Sequence, residues 1–156
     1  GDSAARAYVK EMEAVRRNYG VFSARFGNVY TVRQVVQLFD RAFGRFQSED
    51  DVWETAAGFV DAFRPQIEPA PFETAEAVRA AARQHLGLVR AMFEQADWLI
   101  FTLGLTEGWR STGDGAVYPL APGTAAGIFD PGRYEFVNFP AQAVQRDLAR
   151  DVDMIA

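Results

Sequence analysis

Apolar residues recur at helical spacing in three stretches of the chain. Val32, Val35, Val36, Phe39 and Phe43 share one helical face, with Thr31 in the N-cap position before them and Gly44 as the stop. Val78, Ala82, Leu86, Val89 and Phe93 repeat the pattern and predict a second helix from about Ala75 to Gln95. Pro140 stands near the start of a third, whose Val144, Leu148, Val152 and Ile155 fall on one side. A weaker amphipathic helix, Ala4 to Arg17, rests on Tyr8, Met12 and Val15, and the Asn18 to Gly20 turn ends it.

One stretch breaks this rhythm. The uncharged run "WLIFTL", Trp98 to Leu103, reads as a buried central strand that stops at Gly104. "VFSARFGNVYT" before the first helix reads as a short strand or loop. Pro65, Pro69 and Pro71 interrupt the segment from Gln47 to Phe72, leaving room for a short hairpin from "DVWET" and "GFVDAF". Glycines, prolines and aromatics crowd the segment from Ser111 to Pro140, which predicts an ordered surface loop with a hairpin turn at Gly113 to Gly115. Helix, buried strand, long loop, helix is the order of an α/β fold with a parallel sheet. A parallel sheet needs more than one strand, so the remaining strands are expected outside these residues. The chain opens on Gly1 without an initiator Met and closes inside a helical pattern, which predicts a single domain, 1–156, cut at both ends.

Composition narrows the chemistry. With 49% hydrophobic and 13% aromatic residues the chain can bury a core. A net charge of -5 with both signs mixed along the sequence leaves no basic stripe for phosphates, so no nucleic-acid partner is expected. The run from Trp98 to Leu103 falls well short of the roughly 20 residues a bilayer crossing needs, so no membrane insertion is expected either. Zero cysteines and one histidine make a zinc site improbable, and the only lysine, Lys10, lies in no glycine-rich phosphate loop. No metal and no cofactor are expected.

Gly104, Thr106 and Glu107 follow the expected strand, and in open α/β sheets ligands bind outside the carboxyl ends of strands. Gly104 would let a substrate approach the backbone, Thr106 would donate toward developing negative charge, and Glu107 would anchor the loop by accepting backbone or arginine donors. The plain alternative is that Gly104 turns the chain, Thr106 caps the succeeding segment and Trp109 covers the core.

Four blocks in order, "SARFGNVYTVRQ", "FTLGLTEGW", "VYPLAPGT" and "FDPGRYEFVNF", resemble the GSCFA domain family, over most of the chain from Tyr19 to the last helix. The resemblance implies a bacterial protein of the wider SGNH, or GDSL-like, hydrolase superfamily, a three-layer α/β/α fold that uses Ser and His with Gly and Asn at the oxyanion. Such proteins are suspected of acting on esters of polysaccharides, so the implied partner is an ester or acylated-carbohydrate substrate. Carried over, "FGN" is similar to the superfamily's second block, with Gly27 offering its backbone N–H and Asn28 beside it. "GLTE" takes the place of its G-x-N-D block, with Thr106 where Asn is usual.

The GSCFA motif that would supply the serine is absent, as is the later block with its histidine, and both are expected outside the chain. "GDS" at Gly1 to Ser3 imitates a nucleophile motif but lacks the preceding strand that would hold it. His85 sits inside a helical pattern with Ala82, not Asp, three residues before it, which reads as a surface or half-buried histidine. Glu107, Asp114 and Asp130 are the carboxylates available for paired acid and base work, with no spacing that fixes a separation. Two functions are compatible with these residues: a part of a serine esterase or acyl-transfer enzyme, inactive by itself, or a non-enzymatic module binding a glycan or protein through Trp109, Tyr118, Phe129 and Tyr134.

Overall fold

In the computed structural model, residues 10–16 and 24–155 are described. Residues 10–16 are helical, within the weak amphipathic stretch; Ser3 and the Asn18 to Gly20 turn lie outside the described residues. Three longer helices come after it, α1 (Val32–Ala42), α2 (Ala75–Gln95) and α3 (Ala141–Ile155). A hairpin of β1 (Val52–Thr55) and β2 (Gly58–Asp61) separates the first two. A three-stranded sheet of β3 (Glu107–Ser111), β4 (Val117–Tyr118) and β5 (Tyr134–Asn138), in the order β4-β3-β5, separates the last two.

Helix α1 forms where its caps and apolar face place it. The Thr31 hydroxyl accepts the Gln34 N–H while the Gln34 side chain accepts the Thr31 N–H, a reciprocal capping box. Gly44 leaves the helix with φ +71°, a conformation that glycine adopts without steric cost. Val32, Val35, Val36 and Phe39 are buried as the periodicity requires, but so are Gln34, Gln37 and Asp40, because α2, α3 and β4 cover α1 from several sides.

The buried polar groups of α1 hold its neighbours. Gln37 donates from Nε2 to the Val117 carbonyl at 2.9 Å and accepts the Val117 N–H at 2.7 Å, so one amide side chain completes the free edge of β4 as a further strand would. Asp40 accepts from Arg150 at 2.5 Å and Arg33 donates to Asp147 at 2.9 Å, tying α3 against α1. On one side of the sheet Val117, Phe139 and Ala143 form a core with Val137 and Val144. On the other, Trp53, Val60, Phe63, Tyr118 and Tyr134 join the hairpin to the sheet.

Gly127 is required by this second core. It has φ +72°, and a Cβ there would stand 3.0 Å from Cγ of the buried Trp53 indole. The Trp53 Nε1–H donates to Asp50, which also receives the Tyr134 hydroxyl. Burial of these aromatics removes large apolar surfaces from water and so stabilises the contact between hairpin and sheet.

Helices α1, α2 and α3, the 52–61 hairpin and the turn at Gly113 to Gly115 match the expectations from sequence. The parallel sheet does not: both sheets among the described residues are antiparallel, and a three-layer arrangement is not found there. The run from Trp98 to Leu103 is not a strand, and it is not buried, with Trp98 86% and Ile100 91% exposed. Strand propensity alone cannot make a strand; it needs a ladder partner, and no described strand lies alongside. Pairing begins instead at Glu107, beyond the expected end of that run, because Trp109 stands opposite both Tyr118 and Phe136.

Replacing Gln37 by Leu should leave the buried Val117 N–H and carbonyl without partners. The expected loss is about 2–5 kcal/mol, read as a lower urea midpoint with little change in slope. An unchanged midpoint would mean that the amide does not hold the sheet edge.

Candidate functional site

The loop entering α1 meets the loop entering β3. The Gln34 side chain fixes the first by accepting the Tyr30 N–H at 2.9 Å. The Tyr30 carbonyl then accepts the Leu105 N–H at 3.0 Å, and a Cβ on Gly104 would stand 3.5 Å from that same oxygen. The Thr106 carbonyl accepts the Phe139 N–H at 2.7 Å, while its hydroxyl donates to Asn138 Oδ1 at 2.8 Å. Gly104, Thr106 and Glu107 thus form one exposed corner with Tyr30 and the end of β5. Glu107 lies opposite Asn138 in the β3–β5 ladder.

Gly27 and Asn28 lie just before this corner. Gly27 has φ +78°, and a Cβ on it would stand 3.1 Å from Cβ of Arg64, so both its conformation and its close approach favour glycine. It and Asn28 line a small gap with Arg64, Pro119 and Leu120. Among the described residues neither the Gly27 N–H, the Gly104 N–H nor the Asn28 side chain has a hydrogen-bond partner. The two blocks are joined through Tyr30; among the described residues no hydrogen bond links Gly27 or Asn28 directly to Gly104, Thr106 or Glu107. The anchoring role expected of Glu107 is not found: its carboxylate is exposed and accepts from no described residue, and Arg110, the nearest arginine in sequence, pairs with Glu135 at 2.6 Å.

The other candidate carboxylates are engaged in turns. Asp114 accepts the Ser48 hydroxyl and the backbone N–H groups of Glu49 and Ala116. Burial works to raise its pKa, but these hydrogen bonds together hold it below the ordinary aspartate value. Asp130 accepts the Gly132 N–H at 2.7 Å. Of the four aromatics suggested as a binding surface, Tyr118 and Tyr134 are core. Trp109 is half-buried, with the exposed Phe129 and Phe136 packed edge-on against it. Among the described residues no three His, Asp or Glu side chains come close enough to hold a metal ion, and no helix is long and apolar enough to cross a membrane.

Another cleft has almost no signature in the sequence. About 750 Å³ in volume, it runs between α2 and the segments 24–26 and 64–72, with Arg25, Arg64, Glu68 and His85 in its wall. Arg64 donates from Nε to Asp61 at 2.9 Å, and its Nη1 lies 3.4 Å from Glu68, whose same oxygen is 2.6 Å from Arg25. Arg41 stacks over Phe63 at 3.6 Å and reaches Asp61 only at 3.9 Å. The only advance sign of this cluster is the spacing of Asp61, Arg64 and Glu68, which puts three charges on one side of a turn. Nothing else in the sequence separates Arg64 from the many exposed arginines.

His85 is half-buried, as its place in a helix predicts. Its Nε2 lies 3.2 Å from the Ala24 carbonyl, so Nε2 carries the proton, and its ring meets Phe26 edge-on. Burial, reinforced by the charge of Arg64, lowers its pKa from 6.5 to about 4. The folded protein therefore binds a proton at His85 less readily than the unfolded chain does. Stability from this group is complete above pH 6.5 and is lost as pH falls from there toward about 4. In His85→Gln, whose amide can still donate to Ala24, the fall of the urea midpoint between those two pH values should be shallower than in the native chain. Parallel curves would show that His85 does not titrate with unfolding.

The profile of the GSCFA family matches residues 5–156. No curated protein and no solved structure matches the chain significantly. The match runs through both loops of the Tyr30 corner and the last helix, and the chain belongs to the GSCFA family.

Proposed function

We propose that these residues carry the oxyanion-binding side of an SGNH-type site for ester hydrolysis or acyl transfer, with acyl groups on a polysaccharide as the substrate class. The observation that carries this reading is the Leu105 to Tyr30 hydrogen bond, which sets the Gly104 loop beside the loop that contains Gly27 and Asn28. A tetrahedral intermediate needs preorganised N–H donors with no competing acceptor. Gly27, Gly104 and the Asn28 amide have no acceptor among the described residues, which supports that role for them. Thr106 is less suited to that role, since its proton is given to Asn138, and its part here is to fix the loop to β5. Glu107 stands at the rim, where an exposed carboxylate can meet a sugar hydroxyl. The serine and the histidine of this reaction would come from sequence outside these residues.

A binding role without catalysis draws on a separate observation, the exposed pair Phe129 and Phe136 flanking Trp109. Apolar groups gathered on a surface mark contact sites more often than scattered ones do. That reading needs no donor at the Tyr30 corner.

The test is to express the 156 residues and also the open reading frame extended on both sides, and to assay each with 4-nitrophenyl acetate and a fluorophosphonate probe. The extended polypeptide should label and turn over, and the 156 residues alone should do neither. Within the extended polypeptide, Asn28→Ala should lower kcat by about 10²-fold with folding unchanged, the size expected for one oxyanion donor. Absence of labelling in the extended chain, or a kcat indifferent to Asn28, would overturn the proposal and favour the aromatic surface.

A further inference from the structure

The antiparallel register of β3 and β5 sorts their side chains into rows. Glu107, Trp109 and Ser111 stand opposite Asn138, Phe136 and Tyr134, and since successive residues alternate between faces, these six share one side of the sheet. Along that side burial falls in steps. Tyr134 is in the core, Trp109 is half-buried with Phe136 55% exposed, and Glu107 and Asn138 are both exposed. Phe129, from the segment between β4 and β5, meets Trp109 edge-on at 5.4 Å, as Phe136 does at 5.7 Å, so three rings make an aromatic ledge beside a polar pair.

The polar pair is complementary and uncommitted. The Thr106 carbonyl accepts the Phe139 N–H and the Thr112 N–H donates to the Arg133 carbonyl, so by alternation Glu107 and Asn138 form a pair without ladder bonds, the kind in which opposite side chains stand closest. No hydrogen bond joins the two side chains even so. Thr106 donates its hydroxyl to Asn138 Oδ1, which turns the amide so that the two N–H donors of Nδ2 meet no acceptor among the described residues. The Glu107 carboxylate opposite can only accept, and no described residue donates to it. A donor next to an acceptor matches two neighbouring hydroxyls, one accepting from the amide and the other donating to the carboxylate. The aromatic and polar rows are about 7 Å apart, two residues of strand rise, so one ring-sized ligand reaches both.

From this juxtaposition we infer that the β3–β5 face is a subsite for an uncharged pyranoside, with the C–H face of the sugar ring on Trp109 and Phe136 and a vicinal diol spanning Asn138 and Glu107. The negative faces of aromatic rings attract the partly positive C–H groups of a sugar, while a few placed polar groups fix its orientation. An acidic sugar is disfavoured, because Glu107 and the net charge of -5 repel it. Thr106 lies in the same loop as Gly104, so the subsite adjoins the Tyr30 corner. It rests on the polysaccharide reading of that corner and adds what selects the sugar; binding is measured without turnover, so the two fail separately.

Titration calorimetry of the 156-residue chain with cellopentaose, xylopentaose and pentagalacturonic acid provides the test. All three carry free 2,3-diols along the chain, and the third adds a carboxylate to each ring. At least one neutral sugar should bind with unit stoichiometry, and the acidic one about tenfold more weakly or less. Trp109 is half-buried and its loss endangers the fold, so the exposed positions carry the comparison. Phe136→Ala and Glu107→Ala should each weaken the neutral sugar by about fivefold or more. Asn138→Asp, which keeps an acceptor for Thr106 but loses the two donors, should do the same, whereas Trp98→Ala, in the exposed run outside the sheet, should bind as the native chain does. No binding of either neutral sugar, equal binding of the acidic one, or a loss in Trp98→Ala as large as in Phe136→Ala would overturn the inference. So would a native dimer that Phe136→Ala dissolves, since the ledge would then be a contact between copies. Sugar binding by a chain whose extended form never labels with the fluorophosphonate supports the subsite and removes only the esterase reading; labelling without sugar binding does the reverse.

Discussion

Two hydrogen bonds from one glutamine hold the middle of this protein together. Strand β4 is only two residues long, and its edge away from β3 would present an unpaired N–H and carbonyl inside the core. Gln37 satisfies both from the side of α1. The bond fixes where the helix lies on the sheet, and through the helix it fixes the loop that the Thr31 capping box feeds into α1. That loop carries Gly27, Asn28 and Tyr30, so the candidate site inherits its position from a side chain buried well away from it. α3 is then positioned by Arg33 and Asp40 on the same helix.

How much of this is legible in the sequence depends on how local each signal is. The helices are legible because caps and periodicity are written within a few residues, as Thr31, Gln34 and Gly44 show. The hairpin from Val52 to Asp61 is legible for the same reason. The run from Trp98 to Leu103 misleads because a strand is defined by what lies beside it, and propensity says nothing of that. β3 and β5 escape notice because their glycine, charged and polar members give no clean alternation; they form where Trp109 finds Tyr118 and Phe136.

The site shows the same division. Gly27 is legible as a glycine position, and the positive φ and the nearness of Arg64 supply the physical reason. Glu107 lacks the anchor that its sequence position suggests, since the choice of partner is tertiary and Arg110 turns to Glu135 instead. The arginine cluster is not legible, because Arg25, Arg41 and Arg64 come from three separate segments and only folding sets them together.

The exposed run from Trp98 to Leu103 bears on how the chain behaves in concentrated solution. Six uncharged residues of high strand propensity, with no proline or glycine among them, have the makings of a steric zipper when they stand free of a sheet. Repulsion from a net charge of -5 acts over the whole surface and is screened within about 8 Å at physiological ionic strength, so it guards such a segment poorly. Colloidal stability of these 156 residues is thus set locally: a single charged gatekeeper near Ile100 would change it more than several charges placed elsewhere.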